Sequence, residues 1–314
     1  MIRLYWSGRM ANKLIQYLFA LIIHNETGCG IQCDDLHKDT NSETFIPGFP
    51  NIKNYESKLE TFSSNQELFV YGQKPLVNEV GKQETQKYVV SYLKLFDLAR
   101  NHNLKIQGYF QRMDFLSQFL ELARHVCKSN ISIHPQIEQI VDYDNDLVIH
   151  LRYGDYHMND RADKISWTHK PLDVDEVVSI YNKIKNEVIV KQVWLVCENH
   201  NDVFVRDIAA LIPNNLIVSV NPTHDFVFIS KFKHVFMSPS TFSFMAAWTS
   251  MKTEKAYFPL VGAFHPKSHK LPNVDSSEHR WFFYINDSRF TYIDLSLPSH
   301  PFLTYEELGV DEIL

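Results

Sequence analysis

The chain has 314 residues, a length that fits two ordinary domains. Hydrophobic residues make up 45% and charged residues 22%, so it can build full cores, and its 10 glycines and 13 prolines are too few for a disordered or collagen-like chain. A net charge of −6 argues against a broad nucleic-acid surface and leaves room for a local basic pocket that binds a phosphate.

The first predicted element is a strand, Ile2–Tyr5. It begins almost at Met1, so no signal peptide is expected, and no apolar run is long enough to span a membrane. A cytoplasmic chain with at most peripheral membrane contact is the expectation. Ser7 and Gly8 lead into a helix over about 11–26, with Leu14, Leu18, Leu21 and Ile22 on one face and Gly28 as its stop. Gln16, Tyr17 and Lys13 make its apolar stretch read as amphipathic. Residues 29–33 read as a second strand. Residues 34–85 are polar and broken by Pro47, Gly48 and Pro50, so they read as an irregular insertion with short strands. A helix over 88–101, a strand over 105–109 and a helix over 112–128 follow. His134-Pro135 opens an aspartate-rich connection, and the domain boundary is expected near 135–146.

From Leu147 the alternation is cleaner. Strands are predicted at Leu147–Leu151, 192–197, 216–220, 234–237 and 255–258. Helices are predicted at 173–187, 201–211, 225–230 and 242–251. The alternation is that of α/β architecture, with a second doubly wound unit in this half. The expected division is an N-terminal α/β domain over 1–140 and a C-terminal Rossmann-like domain over 141–314. Cys29, Cys33, Cys127 and Cys197 have no zinc-site spacing and read as free thiols.

Three segments carry candidate chemistry. In Leu147-Val-Ile-His-Leu-Arg152-Tyr-Gly-Asp155-Tyr156 an apolar strand delivers His150, Arg152 and a Gly-Asp turn. Ligands in open α/β sheets bind beyond the carboxyl ends of strands, and an Arg fork there can grip a phosphate. An ion pair between Arg152 and Asp155 is the alternative. In Met237-Ser238-Pro239-Ser240-Thr241-Phe242-Ser243 a strand runs into hydroxyl residues that open a helix. This could be an anion site or ordinary N-capping. In the segment from Ser7 to Tyr17, Gly8 permits a tight turn, and Asn12 and Gln16 share a helix face. That segment has neither a G-x-G-x-x-G nor a P-loop pattern, which removes support from dehydrogenases and P-loop NTPases.

These segments, in this order, resemble the α-1,2-fucosyltransferases of glycosyltransferase family 11. Gly8 to Tyr17 is similar to that family's G-G-L-G-N-Q-L-F-Q-Y-A segment, and His150 to Tyr156 to its H-x-R-R-G-D-Y segment. Gln107-Gly-Tyr-Phe-Gln111 resembles its G-Y-F-Q segment. The stretch from Asp225 to His234 with that from Ser238 to Trp248 resembles its D-…-M-S-…-H-…-N-S-S-F-S-W-W block. The resemblance implies two Rossmann-like domains of the GT-B type facing each other across a cleft. It implies inverting, metal-independent transfer of fucose from GDP-fucose to an oligosaccharide or lipid-linked glycan. No cofactor is expected, the nucleotide sugar being a co-substrate. Carried over by position, Arg152 would hold the diphosphate, with His150 and Tyr153 beside the donor. Asp225 would meet the guanine edge, and Ser240, Thr241 and Ser243 would line the phosphates. Gly8 and Asn12 would be further substrate- or donor-binding residues, in an N-terminal domain that forms the acceptor side opposite a C-terminal nucleotide-sugar donor domain. Asp155 is the first candidate for a base and Asp160 the second, though either could simply cap a turn.

This sequence departs from the family pattern at Tyr153, which stands where a second Arg is usual, with Arg161 a possible replacement cation. Phe244-Met245 replaces Trp-Trp, and Glu198-Asn199-His200 replaces S-D-D. A different nucleotide-sugar donor, or an inactive nucleotide- or glycan-binding module, therefore stays open. A further rival is a metal-dependent D-x-D transferase, spelled at Asp144-Asn-Asp146 and Asp173-Val-Asp175. Asp144 and Asp146 precede a strand, which favours a turn.

Overall fold

The computed structural model describes residues 1–6, 8–34, 48–58, 67–71, 76–79, 87–89, 92–153, 171–261, 264–266 and 283–309. They divide into two compact units. Met1–Asn130, with Phe283, form the first; Ile131–Leu271 and Tyr284–Leu314 form the second.

The first unit runs β1 (Ile2–Tyr5), α1 (Met10–Thr27), β2 (Ile31–Asp34), β3 (Glu67–Tyr71), β4 (Leu76–Glu79) and β5 (Lys87–Val89). It continues with α2 (Tyr92–Asn101), β6 (Asn103–Gln107), α3 (Met113–Leu116), a 3-10 turn at Ser117–Phe119 and α4 (Leu120–Cys127). Its sheet has the order β2-β1-β6-β3-β4-β5. The first four strands in that order are parallel, and β4 and β5 are antiparallel additions. The helix expected over 88–101 starts later, because Lys87 to Val89 pair with β4 instead. The helix expected over 112–128 is broken by the 3-10 turn.

α1 is not the amphipathic helix that its sequence suggests. Every residue from Leu14 to Ile23 is buried, because the helix packs on strands β1, β2 and β6 and also against α2 and α4. Tyr17 tolerates this because its hydroxyl donates to the carbonyls of Asn51 and Lys53 at 3.0 and 2.8 Å. Gly28 ends α1 in the left-handed conformation, φ 76°, as expected of a C-terminal glycine.

The second unit runs α5 (Pro135–Glu138), β7 (Leu147–Leu151), α6 (Val174–Glu187), β8 (Val193–Cys197), α7 (Val203–Leu211) and β9 (Asn215–Val218). It continues with α8 (Pro222–Ile229), β10 (His234–Phe236), α9 (Thr241–Thr249), β11 (Lys255–Leu260), β12 (Phe290–Asp294) and β13 (Phe302–Leu303). The short helix α5 belongs here because Glu138 accepts from Lys231 and from the Tyr143 hydroxyl, at 2.9 and 2.7 Å. The sheet order is β13-β12-β11-β10-β7-β8-β9, parallel except for β13. From β7 the chain winds outward through β8 and β9, then returns to β10 on the other side of β7 and winds out through β11 and β12. That is the doubly wound order, with its switch point between β7 and β10. Every residue of β7 and of β8 is buried, as in a parallel sheet covered on both faces. Asp173 and Glu176 form a full capping box at the start of α6, worth about 1 kcal/mol. Among the described residues no helix is long and apolar enough to cross a membrane.

The acidic run before β7 holds the strand entry. Asp146 is buried, and its Oδ2 accepts from Trp194 Nε1 at 2.8 Å and from the Asp142 amide at 2.9 Å. Asp142 takes Lys191 at 2.8 Å, and that contact holds its carboxyl down to about 2. Asp146→Ala would leave the Trp194 N–H buried without an acceptor. Urea unfolding should show a loss of about 3 kcal/mol; a loss below about 1 kcal/mol would contradict this role.

Candidate functional site

The carboxyl ends of β7 and β10 meet at the switch point of the second unit. Open α/β sheets form a crevice at this position, because the outgoing connections leave in opposite directions. One hydroxyl stitches the two ends together. Ser238 Oγ accepts from the Arg152 amide at 2.8 Å and donates to the His150 carbonyl. Ser238 is buried, so the stitch is protected from water. Arg152 therefore leaves β7 from a fixed backbone position. Its side chain, 15% exposed, meets Glu198 with Nη1 3.3 Å from Oε2. Asp155, the partner weighed for it and the first candidate base, lies outside the described residues, as do Asp160 and Arg161.

α9 begins directly beyond this stitch. Ser240 is its N-cap, with Oγ accepting from the Phe242 amide at 3.2 Å. The capping alternative therefore describes Ser240. Ser243 faces inward with no exposure, and its hydroxyl donates to the Ser238 carbonyl at 3.5 Å. Its hydroxyl is thus turned to the interior. Thr241 is the one of the three that is only half-buried.

His150 is 8% exposed, and its ring lies 5.2 Å from that of Phe242. Its Nδ1 is buried without a hydrogen-bond partner. Burial first, and then the Arg152 charge, push its pKa down to about 3. The ring is therefore neutral near pH 7 and adds no positive charge beside a phosphate.

Tyr153 is expected beside the donor. Its ring stacks on Phe204 of α7 at 4.3 Å and 10°, packed against the hydrophobic core. Tyr153 thus has a packing role. Asp225 lies in the first turn of α8, buried, with Oδ1 3.3 Å from the Val220 amide and 3.4 Å from His224 Nδ1. Burial raises its pKa above the usual carboxylate range. Burial, with the Asp225 charge adding to it, also raises the nearby Cys197 thiol to about 12, so it is no nucleophile at neutral pH.

The first unit has a switch point of its own. β1 lies between β2 and β6, and the turns after β1 and β6 both leave from carboxyl ends. Gly8 has φ 73°, and a Cβ there would lie 2.4 Å from Asn12 Nδ2 and 2.8 Å from Tyr109 Cε1. Asn12 Oδ1 accepts from Gln111 Nε2 at 2.7 Å. Phe110 holds φ 49°, uncommon for an aromatic residue, and stacks on Phe19 at 4.3 Å. The segments around Gly8 and Gly108 thus form one cluster.

Sequence reasoning did not single out Glu198, Ser238 and Gln111 as site residues. Glu198 follows directly on a strand end and Ser238 comes two residues after one; Gln111 lies in the loop after β6. That position was a usable signal, but their partners follow only from strand order.

No family model matches the chain, and no curated protein matches it. Among solved structures, a mutant of Arabidopsis thaliana FUT1 in complex with GDP is similar. Its TM-score is 0.46 and its sequence identity 11%, over 82% of this chain and 69% of that chain. A likeness of that degree carries no argument about activity, and the family resemblance rests on the sequence segments alone.

The His150 shift has a definite sign. Its pKa falls from the ordinary 6.5 to about 3 on folding, so between these values the unfolded chain binds a proton that the folded chain refuses. The stability is complete above pH 6.5 and is lost as pH falls toward about 3. His150→Gln should flatten the stability profile across this window. Equal slopes for the two proteins in denaturant titrations would contradict the burial argument. Ser238→Ala should lower stability by about 1–2 kcal/mol through the lost stitch, measured in the same titrations.

Proposed function

We propose that this chain is a glycosyltransferase that takes a sugar from a GDP-sugar, GDP-fucose first among them, to a hydroxyl of a glycan, with inversion and without a metal ion. The observation that carries the reading is Arg152, held by the Ser238 stitch at the switch point of a doubly wound parallel sheet. A guanidinium there suits a diphosphate, and the start of α9 adds partial positive charge. The family resemblance of the segments around Gly8, His150 and Asp225 supports GDP-fucose as the donor.

The chemistry asked of these residues is simple. The acceptor oxygen attacks the anomeric carbon on the face opposite the diphosphate, the bond to the departing phosphate oxygen breaks, and GDP leaves. Arg152 stabilises the charge that grows on GDP. Asp155 is the proposed base that takes the acceptor proton. Asp225 is proposed to accept from guanine, which offers two N–H donors to a carboxylate where uracil offers one. The D-x-D rival finds no support in its own residues. Asp146 serves Trp194, and Asp173 caps α6.

A second reading, an inactive nucleotide- or glycan-binding module, is favoured by one observation: Tyr153 stacks on Phe204 against the core, at a position where the family pattern has a cation. Donor turnover separates the two readings, since binding alone is common to both.

Calorimetry should show tighter binding of GDP than of UDP; the reverse order would sink the donor assignment. Transfer assayed with a panel of GDP- and UDP-sugars should survive EDTA. Activity lost in EDTA and restored by Mn²⁺ or Mg²⁺ would refute the metal-free route. Arg152→Lys keeps the charge but loses the planar fork, so single-turnover rates should fall about a hundredfold. Its melting temperature should hardly move, because the single contact with the half-exposed Glu198 carboxylate contributes at most about 1 kcal/mol.

A further inference from the structure

β7 and β8 pair in parallel with Leu151 opposite Cys197. The next residue on each strand, Arg152 and Glu198, is therefore carried past the sheet edge beside the other. The topology sets a carboxylate against the guanidinium proposed to hold the diphosphate. The contact is a single one, Nη1 to Oε2 at 3.3 Å, and the Glu198 side chain is 56% exposed. The Glu198 backbone is anchored, since its carbonyl accepts from Ser219 Oγ at 3.1 Å. An ion pair made through one contact with a half-exposed carboxylate is weak. A diphosphate brings more charge and several oxygens to the same fork. The two anions would contend for one guanidinium.

We propose that Glu198 is an internal competitor of the donor diphosphate. It holds the Arg152 guanidinium while the crevice is empty, yields it when a nucleoside diphosphate binds, and retakes it as GDP departs. This rests on the reading of Arg152 as the diphosphate anchor. Its consequence is a weaker hold on GDP and a faster product release than Arg152 alone would give. A supporting role, in which Glu198 steadies Arg152 for the ligand, predicts the opposite sign.

The test is calorimetry on the full chain with GDP and with guanosine as probes. Glu198→Gln should bind GDP about five- to tenfold more tightly than the unaltered chain, with guanosine affinity unchanged. In an Arg152→Gln background the same Glu198 change should lose most of its effect on GDP, because no guanidinium is left to contend for. An unchanged or weaker GDP affinity in Glu198→Gln would overturn the competition and leave the diphosphate reading intact. An equal tightening for guanosine, or an effect that persists without Arg152, would also overturn it. Failure of either chain to bind GDP would overturn the diphosphate reading itself, and the competition with it.

Discussion

The site of the second unit depends on one buried hydroxyl. Ser238 joins the carboxyl end of β10 to that of β7, through the Arg152 amide and the His150 carbonyl. Without such a link, the two strands at a switch point part company at the place where a ligand is to be held. The link fixes where Arg152 leaves the sheet. It also fixes where α9 begins, since Ser240, two residues on, caps that helix. The exit of Arg152 and the start of α9 are thus set together within Ser238 to Ser240.

Among the described residues, positive charge at this place is scarce. His150 is neutral because it is buried, and Tyr153 packs against Phe204. Arg152 carries the positive charge of the described edge, and the chain as a whole is acidic. A neighbouring carboxylate then matters more than it would in a site with two guanidinium groups. That is why Glu198, an ordinary half-exposed acid by burial, bears on the affinity of the site.

Much of the fold was legible along the chain. β7 is a five-residue apolar run bounded by polar residues, and its predicted and observed limits coincide. Gly28 stops α1, and Asp173 starts α6 with Glu176 at the matching position. These are local signals, set by caps and by turn-specific residues. What was not legible depends on neighbours distant in sequence. α1 carries Gln16 and Tyr17 and reads as amphipathic, yet the carbonyls of Asn51 and Lys53 satisfy the Tyr17 hydroxyl and let the helix go inside. Ser243 reads like Thr241, yet one turns to the interior and the other does not. The pairing of Arg152 with Glu198 needed the order of β7 and β8, which no local pattern encodes. β12 was missed because it follows a long segment with no clear alternation.

The most direct measurement is a crystal structure of the full chain with GDP bound. The account predicts the diphosphate at the carboxyl ends of β7 and β10, hydrogen-bonded to the Arg152 guanidinium, close to the first turn of α9, with Glu198 withdrawn. A diphosphate bound elsewhere on the chain, with Arg152 still paired to Glu198, would contradict it.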